Sequence, residues 1–98
     1  MTAVPHYSMY VDGHWRDTGT SIEVRHPATG EVVATVAYGD ADTADEAVAA
    51  ARAAHASGEW RSTPPAERAD ILDAIADRLA TRAGELTALA VGENGATV

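Results

Sequence analysis

Ninety-eight residues, 46% of them hydrophobic, make one small domain's worth of chain and exclude a large multidomain enzyme within this length. Twenty-two residues are Ala, none is Phe and five are aromatic, so any core must be thin. Seven Arg, no Lys and 15 Asp plus Glu give a formal charge of −8, which repels nucleic acid and anionic membrane surfaces, and the lack of Cys removes disulfides, thiolate metal sites and a thiol nucleophile.

Residues 1–8 read as an N-terminal tail. They carry neither the basic start nor the apolar run of a secretory signal, and no stretch nears the ~20 apolar residues of a membrane span, so the expected location is the cytoplasm. Met9-Tyr10-Val11 and His14-Trp15-Arg16 flank Asp12-Gly13, a strong two-residue hairpin signal, because a type I′ turn needs positive φ at its central residues. A second hairpin is predicted from Ile22 to His26 and Glu31 to Tyr38, joined by Pro27-Ala28-Thr29-Gly30, with Pro presetting φ and Gly30 taking the left-handed position. Ile22 and Val24 alternate with Glu23 and Arg25, a half-buried pattern. The run Val32 to Ala37 is continuously apolar and should be the more buried arm.

Helix formers take over after Gly39. Thr43 and Glu46 fit a capping box, predicting a helix from about Ala44 to Ala56 that shows a face of Ala44, Ala47, Val48, Ala51 and Ala54 and ends at Gly58. Thr63 is expected to cap a second helix with Pro64 at its first position and a stripe of Ile71, Leu72, Ile75 and Leu79. Gly84 predicts a kink or a new start before Leu86, Leu89, Ala90 and Val91, and Gly95 after Asn94 a stop.

Little in the chain points to chemistry of its own. His6, His14, His26 and His55 lack metal-ligand spacing and read as solvated or partly packed imidazoles. Asp70, Asp73 and Asp77 form a solvated helix face rather than an acid and base pair, and no glycine-rich phosphate cradle is present. The Arg residues interleave with acids at helical spacing, which favours ion pairs, and Trp15 and Trp60 read as fillers between elements.

The order of these pieces is more informative. Met9 to Trp15, Ile22 to Val32 with Pro27-Ala28-Thr29-Gly30-Glu31, Ala47 to Arg52, Gly58-Glu59-Trp60-Arg61, Pro65-Ala66-Glu67-Arg68 and Glu93-Asn94-Gly95 together resemble the amino-terminal segment of an NAD(P)-dependent aldehyde dehydrogenase. The resemblance implies an α/β fold in which two hairpins and two or three helices flank a Rossmann-like cofactor domain, with 9–98 an incomplete N-terminal part of that domain. It implies a longer, homo-oligomeric subunit using NAD or NADP. There a Cys thiolate attacks the aldehyde, an Asn side chain and the Cys N–H hold the oxyanion, hydride passes to the nicotinamide and a Glu activates water. None of those residues maps onto this chain, so no catalytic or cofactor-binding residue and no cofactor is expected here, and the remainder of the subunit is the expected partner. The resemblance further implies a Na⁺ or K⁺ site through oxygens at Val24, Arg25 and Glu93, although Val24 stands where the family has a hydroxyl residue and His26 where it has Asn. The competing expectation is a stand-alone α+β module that docks on a partner such as a related full-length dehydrogenase.

Overall fold

The structure, a computed structural model, describes residues 3–96. Two small sheets precede four helices. The two-stranded sheet is the Asp12-Gly13 hairpin: β2 (Met9–Val11) pairs antiparallel with β3 (His14–Arg16), setting Tyr10 opposite Trp15. Asp12 at φ 53° and Gly13 at φ 78° supply the two positive angles of a type I′ turn. The rings of Tyr10 and Trp15 meet tilted, with centroids 4.9 Å apart.

The three-stranded sheet has the order β1-β5-β4. Its antiparallel half is the second hairpin, β4 (Ser21–Arg25) against β5 (Val32–Ala37), with an irregularity between Val24 and Arg25. The turn is closed by His26 N–H donating to Glu31 O and Gly30 N–H to His26 O, both at 2.8 Å, with Gly30 at φ 74°. The other half corrects the expected tail: β1 (His6–Tyr7) pairs parallel with β5, His6 beside Thr35 and Tyr7 beside Val36. Two residues carry too little periodicity to announce a strand, and the pairing partner lies far along the chain. Strand β5 is therefore central and paired on both sides, as its continuous apolar run requires.

Helix α1 (Ala41–Ser57) starts a turn before the Thr43 cap expected from sequence. Asp40 is the cap, its carboxylate accepting from Thr43 N–H at 2.9 Å and from the Thr43 hydroxyl at 2.8 Å. A carboxylate three residues upstream satisfies the orphaned donors better than the hydroxyl, which is itself a donor here. Glu46 is thereby released from the box and pairs with Arg16 of β3. Gly58, at φ 74°, ends α1 and opens a one-turn helix, α2 (Glu59–Ser62), that sequence reasoning missed. Thr63 closes α2 instead of capping the next helix, its hydroxyl donating to Glu59 O at 2.7 Å. Helix α3 (Pro65–Thr81) begins one residue later than predicted, because Pro65 keeps the preceding Pro64 extended at ψ 145°. The break near Gly84 is a new start: α4 (Ala83–Asn94) follows Arg82 and stops at Gly95, at φ 72°.

Packing is sparse. Among the described residues only Ala34, 9% exposed, and Thr43, 6% exposed, are buried, and no side chain is fully enclosed. The Cα radius of gyration is 17.3 Å, against about 13 Å for a compact chain of this length. Accessible surface is 7676 Å², where a compact monomer of this mass would show about 5,300 Å². The stripe of Ile71, Leu72, Ile75 and Leu79 on α3 is exposed along its whole length.

Candidate functional site

One concavity lies where α4 crosses the three-stranded sheet. Tyr7, Ile22, Val24, Ala34 and Val36 form one wall and Ala88, Leu89, Gly92 and Glu93 the other, around about 460 Å³. Its lining is aliphatic apart from the Tyr7 ring and Glu93 at one end. Sequence-adjacent hairpin arms place Val24 on the sheet face, and the helical repeat of α4 brings Leu89 and Glu93, four residues apart, to the same side. The structure thus brings together two of the three residues expected to offer oxygens to a monovalent cation, Val24 and Glu93. Arg25 does not line this groove; its guanidinium donates to Gly30 O at 2.9 Å and pairs with Glu23.

The second concavity, of about 300 Å³, lies between the Tyr10–Trp15 hairpin and α1. Its helix wall is Ala47, Ala50, Ala51 and Ala54, a face turned slightly from the one the sequence suggested, since Val48 stays exposed and Ala44 does not take part. A third, of about 430 Å³, is bounded by Ala54, His55, Trp60, Arg61 and Arg68.

The junction from β5 into α1 is where a strand-turn-helix unit would receive a cofactor phosphate on the helix N-terminus. Here Asp40 fills that position. Its pKa lies below the ordinary 3.8 because Thr43 N–H and then the Thr43 hydroxyl donate to it, so it stays ionised and repels a second anion. The residues at this junction do not fit a dinucleotide phosphate.

A polar network missed in the sequence ties β1 down. His6 Nδ1 lies 2.7 Å from Thr35 Oγ1 and His6 Nε2 2.8 Å from Asp17 Oδ1, while the Ser8 hydroxyl donates to Asp17 Oδ2 at 3.0 Å. The His6 hydrogen bond, then that of Ser8, holds the Asp17 carboxyl below its usual pKa. No spacing rule links 6, 8, 17 and 35; only the parallel pairing gathers them. Among the described residues no three His, Cys, Asp or Glu side chains converge as metal ligands.

Comparison with known proteins decides what these elements belong to. Residues 15–98 match the aldehyde dehydrogenase family. The chain belongs to that family. It is 43% identical over 89 residues to an alpha-ketoglutarate semialdehyde dehydrogenase of Haloferax volcanii, covering 88% of this chain and 18% of that protein. It is 40% identical over 88 residues to an aminoacetaldehyde dehydrogenase of Pseudomonas aeruginosa, covering 88% and 18%. A 3,6-anhydro-alpha-L-galactose dehydrogenase of a Vibrio species is 35% identical over 91 residues, covering 91% and 18%. The chain therefore spans about a fifth of the length of the curated aldehyde dehydrogenases it matches. The match includes Pro27-Ala28-Thr29-Gly30 and Glu93-Asn94-Gly95, which the fold sets against each other at the end of α4. No helix among the described residues is long and apolar enough to cross a membrane.

Proposed function

We propose that this chain serves as the amino-terminal part of an NAD(P)-dependent aldehyde dehydrogenase that oxidises an aldehyde to a carboxylic acid, and that it is catalytically silent by itself. The observation that carries the reading is the family match over residues 15–98 on a chain whose apolar stripe Ile71, Leu72, Ile75 and Leu79 is uncovered. In this reading the two hairpins and the helices flank a Rossmann-like cofactor domain built from further sequence, and α3 and the outer edges of the sheet are closed by it. The nucleophile comes from that further sequence, as these 98 residues hold no Cys. So does the cofactor cradle, because Asp40 already occupies the N-terminus of α1, the one strand-to-helix junction among the described residues. The complete subunit associates with copies of itself, as the family does.

Within the complete subunit, oxygens at Val24, Arg25 and Glu93 contribute to a Na⁺ or K⁺ site beside the groove between the sheet and α4, with Arg25 outside the groove lining. Support comes from Val24 and Glu93 lining that groove together. Hard monovalent cations favour such oxygen donors.

The test uses two proteins. The 98-residue chain, given an aldehyde panel with NAD⁺ or NADP⁺, is expected to produce no reduced cofactor. The same chain joined to the remainder of the Pseudomonas aeruginosa relative, in place of the residues it matches, is expected to fold, oligomerise and turn over aldehyde. Turnover by the chain alone, or a joined protein that cannot fold, would overturn the reading.

A further inference from the structure

Three of the seven arginines are neutralised within the chain: Arg16 by Glu46, Arg25 by Glu23 and Arg82 by Glu85. Arg52, Arg61, Arg68 and Arg78 pair with no carboxylate among the described residues, although acids outnumber arginines in the chain by 15 to 7. Of these four, Arg61 and Arg68 border a common hollow of about 430 Å³, together with His55 and the indole of Trp60. In so acidic a protein, two uncompensated guanidinium groups beside an imidazole and an aromatic wall form a local positive centre.

Arg68 carries a second mark. Its Nε–H is shielded from solvent and has no hydrogen-bond partner. Buried N–H groups are almost always satisfied, so this one requires an explanation, and an acceptor not supplied by the described residues provides one. The adjacent turn favours the same region. Gly58 has no Cβ, and one placed there would lie 3.2 Å from Arg61 Nη2, so the glycine leaves room for the Arg61 head group beside the start of α2.

From this we infer that Arg61 and Arg68, with His55 and Trp60, form a receptor for a carboxylate. A guanidinium presents a planar fork of N–H donors that matches the two oxygens of a carboxylate, and such charge-assisted pairs are shorter and stronger than neutral ones. Rotation about the Arg68 side-chain torsions brings Nε and a terminal nitrogen to the acceptor together, which satisfies the orphaned donor. The indole face covers the apolar side of the ligand. The carboxylate comes either from a small free acid or from an Asp or Glu side chain of further sequence in the same subunit.

The experiment follows the Arg68 Nε–H resonance by NMR during titration with sodium succinate, using sodium chloride at matched ionic strength as the reference. In the 98-residue chain, succinate is expected to move and sharpen this signal with saturation, while chloride leaves it unchanged. Arg68→Lys keeps the charge and loses the fork, so the Trp60 indole N–H, read in that variant, should titrate at least about tenfold more weakly. Arg52→Gln, outside the hollow, should leave the titration as in the parent. The same resonance in the chain joined to a relative's remaining subunit separates the sources. A signal already at its succinate-bound position and insensitive to added succinate identifies a side chain, and a signal that still titrates identifies a free acid. If the signal in the chain alone never responds, or responds equally to chloride, or if Arg68→Lys titrates like the parent, the inference fails, whatever the fate of the joined protein.

Discussion

A Cβ placed on Gly95 would stand 2.9 Å from Cγ of Pro27, so the end of α4 rests on the turn of the second hairpin through the one residue type that leaves space for it. Gly95 also sits at φ 72° and donates its N–H to Val91 O at 2.8 Å. A helix stop and a tertiary contact coincide in one glycine. This contact joins the hairpin that carries Val24 to the helix that carries Glu93, the two residues that share the groove.

Gly95→Ala should therefore be penalised twice, by the left-handed backbone and by collision with Pro27. The backbone part alone is on the order of 1 kcal/mol. Gly30→Ala, with φ 74° but no atom within 4 Å of its added Cβ, bears only the backbone part. Amide exchange across Val91 to Gly95 should quicken more in Gly95→Ala than exchange around the turn does in Gly30→Ala. Adding Pro27→Ala to Gly95→Ala should recover part of the loss; equal exchange in the single and double variants would remove the contact from the account.

Acid should unwind the start of α1. Hydrogen bonds from Thr43 N–H first, then its hydroxyl, hold Asp40 below 3.8 in the folded chain. A depressed folded pKa gives a contribution that is complete above the unfolded value and disappears as pH falls through the folded one. Circular dichroism of the chain should show helix lost in that acidic window. Asp40→Asn keeps an acceptor at the cap but abolishes its titration, and Asp40→Ala should lower helicity at neutral pH as well.

The Asp17 carboxyl obeys the same sign but acts on a different element. His6 and then Ser8 hold its pKa down, so its contribution is present above 3.8 and is lost as pH falls through the lowered folded value. Asp17→Asn should release His6 and speed exchange of the Thr35 N–H, which donates to Pro5 O at 3.0 Å where β1 meets β5. It should leave α1 helicity intact. Parallel loss of both signals in this variant would show that sheet and helix do not respond independently.

Calorimetry of the 98-residue chain should give a broad, weak transition in place of a sharp cooperative one. A scattering radius should exceed that of a compact monomer, and a hydrophobic dye should bind the uncovered α3 stripe. Joining the chain to a relative's remaining subunit should suppress dye binding. A sharp melt of the chain alone would mean that Ile71, Leu72, Ile75 and Leu79 need no cover.

The local elements are largely legible in the sequence. Asp12-Gly13, Pro27 to Gly30, Gly58 and Gly95 act through steric limits on one or two residues, and those limits hold in any context, so the hairpins and helix stops are found where the residues put them. Caps were less legible, because Asp40 and Thr43 are both good cap residues and Pro64-Pro65 moves a helix start by one position. The family resemblance was readable as well, being a matter of order and spacing. What required the fold were the relationships between distant residues: β1 along β5, His6 between Thr35 and Asp17, Gly95 on Pro27, and His55, Trp60, Arg61 and Arg68 around one hollow. Turn chemistry is decided by neighbours in the chain. Strand order, burial and unpaired charge are decided by which surfaces meet, and in a chain this open most apolar surfaces meet nothing of its own.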